Sequence, residues 1–272
     1  MLICTIAILG ASIGSFLNVL IYRVPHGMNI SYPPSFCPNC QNSLKWYHNI
    51  PVISWILLKG KCAYCKNKIS IRYPVVEIIT SFIFLLVFIK NGVNIYSLTT
   101  SLTFSLLLAL SIIDFKYKAV PDSLNLAALT ISFFSSLNII QNIISALLLA
   151  GAFSFLRFYI SYYVSIKEEL KIKKAIKKAP WLKSFFPKYT MIEAMGEGDI
   201  IVAGTIGAIL GIELSVIAIF LSAILAIPAS LFLRISKRDF ELPYIPFLAL
   251  SLFIVYIFDE KFKIFFNWII DG

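Results

Sequence analysis

The sequence predicts an all-α, polytopic membrane protein of about eight transmembrane helices, with a large cytoplasmic loop after the first helix. Three observations predict it: the composition, the spacing of the apolar runs, and the side on which the basic residues fall. Of 272 residues, 59% are hydrophobic and 14% charged, and the mean hydropathy is +0.85. A soluble domain of this length does not have that composition. Repeated apolar runs of ~20 residues, each able to cross ~30 Å of hydrocarbon, produce it.

The runs are near 2–22, 73–89, 97–114, 123–138, 142–164, 199–211, 215–234 and 245–258. The first contains no positive charge before Arg23. That argues against a cleaved signal peptide and for a helix whose N-terminus lies outside the cytoplasm. The fourth is short and holds several Ser and Asn. The sixth is also short, as expected of a tilted helix or one that starts inside the protein or beside a water-filled cavity. Gly10-xxx-Gly14 and Gly207-xxx-Gly211 are small-residue pairs expected at close helix contacts.

With the N-terminus outside, the inside loops are 23–72, 115–122, 165–198 and 234–244. They hold 20 of the 24 Lys and Arg residues. Outside segments hold Lys90, Lys261 and Lys263, and Arg157 falls within a span. This is a positive-inside pattern, and seven spans with a reversed tail fit it less well. The net charge of +10 therefore reads as cytoplasmic loops facing anionic lipid. No basic, aromatic-interleaved surface supports nucleic-acid binding. The run "KEELKIKKAIKKAPWLKSFFPK" reads as an amphipathic helix on anionic headgroups, with substrate docking as the alternative. Two units follow: 1–72, the first helix with its loop, and 73–272, a membrane core that includes the basic loop 165–198.

Cys37-Pro38-Asn39-Cys40 and Cys62-Ala63-Tyr64-Cys65 are two C-x-x-C units 21 residues apart. Four thiolates at this spacing can close a tetrahedral shell around one zinc ion. A redox dithiol or four reduced thiols are the alternatives, since a cytoplasmic loop disfavours disulfides. A closed shell leaves no open coordination position, so such a zinc folds the loop. Cys4, in the first span, reads as a small apolar filler.

Asp114 ends the third run and Asp199 begins the sixth, both at the cytoplasmic boundary. Two carboxylates on different helices at one depth can share a proton, leaving one acid and one base. Such a pair can activate water and protonate a leaving amine. The plainer alternatives are a helix cap for Asp199 and a headgroup position for Asp114. Asp122, after Pro121, reads as an N-cap.

These motifs together resemble the type IV prepilin leader peptidases, bifunctional membrane enzymes of the GxGD aspartic protease group. The resemblance spans nearly the whole chain. It is carried by "GSFLNVLIYRVP" (14–25), the two C-x-x-C pairs, "RYPVVE" (72–77), "DFKYKAVPD" (114–122) and "GEGD" (196–199). It implies cleavage of a short basic leader from prepilins or pseudopilins at the cytoplasmic face of the bacterial inner membrane, by Asp114 and Asp199. It also implies N-methylation of the new N-terminus with S-adenosylmethionine. Gly196 and Gly198 would let an extended substrate approach. Glu197, at the variable position of the motif, would attract the basic leader. No G-x-G-x-x-G follows a strand, so the methyl donor rests on the resemblance alone. Asn18, Arg23 and Glu77 are the polar residues of the matching N-terminal motifs and the methyltransfer candidates. Their alternative is structural, with Arg23 snorkelling to the interface.

Two other functions are the alternatives, a transporter and a zinc-stabilised membrane scaffold. A transporter would place its acids near the midplane, whereas these cluster at one face. A zinc-stabilised scaffold would depend on the cysteines and tolerate loss of the aspartates.

Overall fold

The computed structural model describes residues 1–178, 196–235 and 242–264. Its α-helices are α1 (Leu2–Arg23), α2 (Ile53–Leu57), α3 (Arg72–Asn91), α4 (Ile95–Tyr117), α5 (Asp122–Ser132), α6 (Ile139–Lys178), α7 (Glu197–Ile235) and α8 (Ile245–Ile257). No strand forms among the described residues. Two isolated bridges, Phe36 with Ser43 and Lys61 with Lys68, lie in the loop after α1.

Every apolar run meets a helix, but the fourth is helical only to Ser132, six residues short of its expected end, and the helices are not equally long. Five helices, α1, α3, α4, α6 and α7, are long and apolar enough to cross a membrane. α8 has 13 residues and α5 only 11, a rise of roughly 16 Å for α5. The sixth and seventh runs share α7, which is interrupted at Gly211 (φ 72, ψ 179). Gly211 is therefore a break, not the close helix contact expected of it, and nothing lies within 4 Å of where its Cβ would be. Ser215 repairs the break by donating its hydroxyl to the carbonyl of Ile206 at 3.2 Å and also to that of Gly211.

The other small-residue positions do serve close approach. A Cβ on Gly10 or Gly14 would stand 2.7 Å from the Cα of Ser81 or Glu77 on α3. One on Gly207 would stand 2.5 Å from the carbonyl oxygen of Ser145 on α6. α1 thus lies against α3, and the first half of α7 against α6.

α4 is the central helix, packed against α1, α3, α5 and α8. Asn94 caps its start, accepting the Ser97 N–H at 2.7 Å. Lys118 in the left-handed region ends it, with its N–H on the Asp114 carbonyl at 2.9 Å. Leu17, Ile21, Leu107, Leu110, Ile113, Ile206 and Leu248 form one buried cluster around it. Outward-facing Phe16, Phe82, Phe155 and Phe220 stay exposed, a pattern suited to lipid as the surrounding solvent.

α6 continues 14 residues past the expected end of its run, through the first part of the lysine-rich segment. Lys171 pairs there with Glu168 at 2.5 Å and Lys173 with Glu169 at 2.6 Å. The rest of the expected amphipathic stretch, 179–195, lies outside the described residues.

Candidate functional sites

The first site is built by the ends of three helices. Asp114 sits in the last turn of α4 and is buried, at 7% exposure. Its Oδ2 accepts the backbone N–H of Ile245 at 3.3 Å, so the first turn of α8 orients this carboxylate. Asp199 lies half-buried in the first turn of α7, close enough for the charge of Asp114 to act on it.

Three contacts hold the Asp199 segment, one through Asp199 itself and two through Gly198. Its carboxylate reaches back to the backbone N–H of Gly196, which is the N3-to-N-cap half of a capping box. The Asn125 amide of α5 donates to the Gly198 carbonyl at 3.0 Å, buried. Val120, in the turn before α5, fills the space where Gly198 lacks a side chain. A Cβ there would lie 2.9 Å from Val120 Cβ and 3.0 and 3.1 Å from its two methyl carbons. A Cβ on Gly196 would lie 3.5 Å from Asp199 Oδ2, so that glycine borders the carboxylate itself. The cap reading of Asp199 and its place beside Asp114 are thus compatible.

The neighbouring acids have other roles. Glu197 pairs with Arg157 of α6 at 3.1 Å, giving the basic residue within a span a partner. Asp122 is the first residue of α5, with Pro121 in the N-cap position; it is not the cap itself. Its charge there meets the helix dipole. Sequence reasoning passed over Asn125, Val120 and Ile245. The last acts through its backbone N–H, which no side-chain pattern can mark.

The cysteines form the second feature. Cys37, Cys40, Cys62 and Cys65 have all four sulfurs within 4.8 Å of one another. They are free thiols, and the 3.9 Å between the sulfurs of Cys37 and Cys65 is far beyond a disulfide bond. The two C-x-x-C units fold alike. In each, the first Cys N–H bonds to the carbonyl five residues on (Asn42 or Asn67), and its own carbonyl takes the N–H four residues on (Gln41 or Lys66). Gln41 and Lys66 both adopt positive φ. The backbone N–H of Asn67 and the amide of Asn39 bring the Cys65 thiol down to about 6, while burial and the neighbouring cysteines push that of Cys40 up to about 11.

The third feature is a cavity of about 540 Å³ between α1, the cysteine-bearing loop and the start of α3. Asn18, Arg23 and Glu77 all line it. Arg23 is buried, and its guanidinium donates to the carbonyls of Asn29 and Ile30 at 3.0 Å each and of Pro33 and Pro34 at 2.7 and 3.3 Å. It organises the loop and does not snorkel. Asn18 donates to the Tyr73 carbonyl at 3.1 Å, and Glu77 Oε2 accepts the Val52 N–H at 2.7 Å. Tyr117 at the end of α4 meets the His26 ring edge-on at 5.6 Å, joining this loop to the aspartate site.

Residues 8–91 match the bacterial peptidase A24 N-terminal domain and 101–231 match the type IV leader peptidase family. The chain is 30% identical to a prepilin leader peptidase/N-methyltransferase of Neisseria gonorrhoeae, over 96% of this chain and 92% of that one. The chain belongs to the type IV prepilin leader peptidases. Relatives of the same description in Legionella pneumophila and Vibrio cholerae are 29% and 28% identical. They align over 90% and 92% of this chain and 88% and 94% of theirs. No solved structure matches the chain. The first match ends with α3 at Asn91 and the second begins at 101, inside α4, so the cysteine loop and the aspartates fall in different matched domains.

Proposed function

We propose that this protein removes the leader from type IV prepilins or pseudopilins at the cytoplasmic face of a bacterial inner membrane, then N-methylates the exposed N-terminus. The observation that carries the reading is the placement of Asp114 and Asp199 on separate helices, within range of each other's charge, in a chain of this family. One carboxylate takes a proton from water as the water oxygen adds to the scissile carbonyl. The other gives a proton to the leaving nitrogen as the C–N bond breaks. The Ile245 N–H holds Asp114 in place, and the Gly196 N–H and Asn125 do the same for the Asp199 segment. The open side of Gly196 is where substrate backbone approaches; Gly198 admits Val120 instead.

Zinc fits the four thiolates. A regular tetrahedron with Zn–S of ~2.3 Å has sulfur–sulfur edges of about 3.8 Å, and the Cys37–Cys65 separation is 3.9 Å. S-adenosylmethionine, when bound, supplies the methyl group as a sulfonium. The eight apolar segments cross or enter the bilayer with the N-terminus outside, and the lysine-rich region contacts anionic headgroups.

The test is co-expression of a prepilin with wild type, Asp114→Asn or Asp199→Asn, with leader removal followed by gel shift. Each variant should leave the prepilin unprocessed. Full processing by either well-inserted variant refutes the paired-aspartate assignment.

A further inference from the structure

α8 is short and almost wholly apolar. Its 13 residues rise roughly 20 Å, less than the ~30 Å of a hydrocarbon core. Leu248, Leu252 and Val255 are fully buried in the cluster around α4. Apolar packing is non-directional, so it holds such a helix sideways and sets its position along its own axis only weakly. That axial position decides whether the Ile245 N–H reaches Asp114, a bond already 3.3 Å long. A further slip of about 0.3 Å along the bond takes it to about 3.6 Å, where it is no longer a hydrogen bond.

Polar contacts at the two ends of α8 therefore set its register. At the near end the Tyr244 hydroxyl meets Ser222 at 2.8 Å, but Ser222 lies in the half of α7 beyond the break at Gly211. The far end is held by α3. The Lys90 ammonium donates to the Tyr256 carbonyl, one of the four that a helix leaves open at its C-terminus. A cation there also meets the helix dipole. The same ammonium pairs with Asp259, just beyond α8, at 2.6 Å and lies over the Tyr256 ring at 4.5 Å. Lys263 approaches the other oxygen of Asp259 at 3.9 Å. Asn91 donates its amide to the Tyr256 hydroxyl at 2.6 Å, and the Tyr256 ring sits against Phe104 of α4 at 5.2 Å. Lys90 is one of three basic residues that depart from the positive-inside pattern expected of the sequence, and this contact gives it a use.

We propose that Lys90, with Asn91 and Asp259, is a positioning residue for peptide cleavage. From the end of α3 it fixes α8 along its axis and so sets the Ile245 N–H against Asp114, roughly 20 Å away. The inference rests on the paired-aspartate reading given above and adds a determinant at the opposite end of α8. Its effect falls on kcat, because Asp114 acts in the chemical step and Lys90 lies far from it.

The experiment measures kcat and KM for the full-length, metal-loaded protein in detergent micelles with a purified prepilin. Lys90→Met should lower kcat about tenfold and leave KM within about twofold. Lys90→Arg keeps a cation for both partners and should recover most of the rate. Asp259→Asn should also lower kcat, and the double variant with Lys90→Met should be no slower than Lys90→Met alone, since the two share one contact. Asn142→Ala is the control. It removes the bonds to the Phe133 carbonyl and Ser136, away from α8, and should lower the melting temperature without lowering kcat. Wild-type kcat for Lys90→Met overturns the proposal. So does a Lys90→Arg rate no better than that of Lys90→Met, or an Asn142→Ala rate equally low at the same melting temperature. If Lys90→Met does not insert, Asn91→Ala decides: kcat lowered about threefold at unchanged KM supports the role, and wild-type kcat overturns it. Asp114→Asn, run alongside, separates the failures. An inactive Asp114→Asn beside a fully active Lys90→Met sinks only the register role, whereas processing by Asp114→Asn sinks the paired-aspartate reading with it.

Discussion

Adding one methyl group at Gly198 probes how tightly the Asp199 segment is held. Gly198 is not among the residues with positive φ, so alanine meets no backbone penalty there. The effect is steric. The new Cβ would stand 2.9 Å from Val120 Cβ and 3.0 and 3.1 Å from its methyl carbons, against ~3.5 Å for an ordinary carbon contact. Relief requires a shift of about 0.6 Å. Val120 is held by the turn between α4 and α5, and Gly198 by Asn125, so part of that shift passes to Asp199. A misplacement of ~1 Å costs ~100-fold in rate, so Gly198→Ala should lower kcat/KM for prepilin cleavage by about tenfold. Val120→Ala in the same chain removes both methyl clashes while leaving the Cβ contact. It should recover part of the loss. Initial rates in detergent with a purified prepilin read both variants. A wild-type rate for Gly198→Ala, or a double variant no faster than the single one, shows that Val120 does not position Asp199.

Three further outcomes are expected. Gly211→Ala forces a side chain into a backbone region that is nearly glycine-only and should cost about 1–3 kcal/mol, read as a lower midpoint in denaturant unfolding. Arg23→Lys keeps the charge but loses the planar fork that reaches four carbonyls. Each lost bond to a charged donor removes about 1.5–3 kcal/mol, so hydrogen exchange across 29–34 should speed up while α4 is unaffected. Wild type should carry about one zinc per chain, and Cys40→Ser should carry less than half of that by metal analysis.

The helices were legible because hydrophobic runs bounded by charges are a strong local signal; seven of the eight runs lie on helix nearly end to end, whereas the fourth is helical only to Ser132, and only five helices are long enough to cross a membrane. The union of two runs across Gly211 was not legible, because a glycine in a helix contact and a glycine at a break look alike in sequence. The cysteine cluster was legible from spacing. Asp114 and Asp199 were expected together from the charge count and from the resemblance carried by 114–122 and 196–199. Asn125 and Val120 were hidden because their role is contact with a bare backbone 73 and 78 positions away. Arg23 read as a methyltransfer candidate, or alternatively as an interfacial anchor, and its use as a loop organiser depends on where carbonyls 29–34 return.

The break at Gly211 also bears on how the enzyme tolerates its surroundings. Membranes differ in thickness by a few ångströms, and helices respond by changing tilt. In an unbroken α7, a tilt imposed on 212–235 would travel along the rod to Asp199. With the backbone leaving helical geometry at Gly211 and Ser215 stitching the two halves, 212–235 can follow the lipid while 197–210 stays clamped against α5 and α6. If Asp199 carries cleavage as proposed, such a joint would keep bilayer-imposed tilt away from its carboxylate, and cleavage should vary little across vesicles of different acyl-chain length.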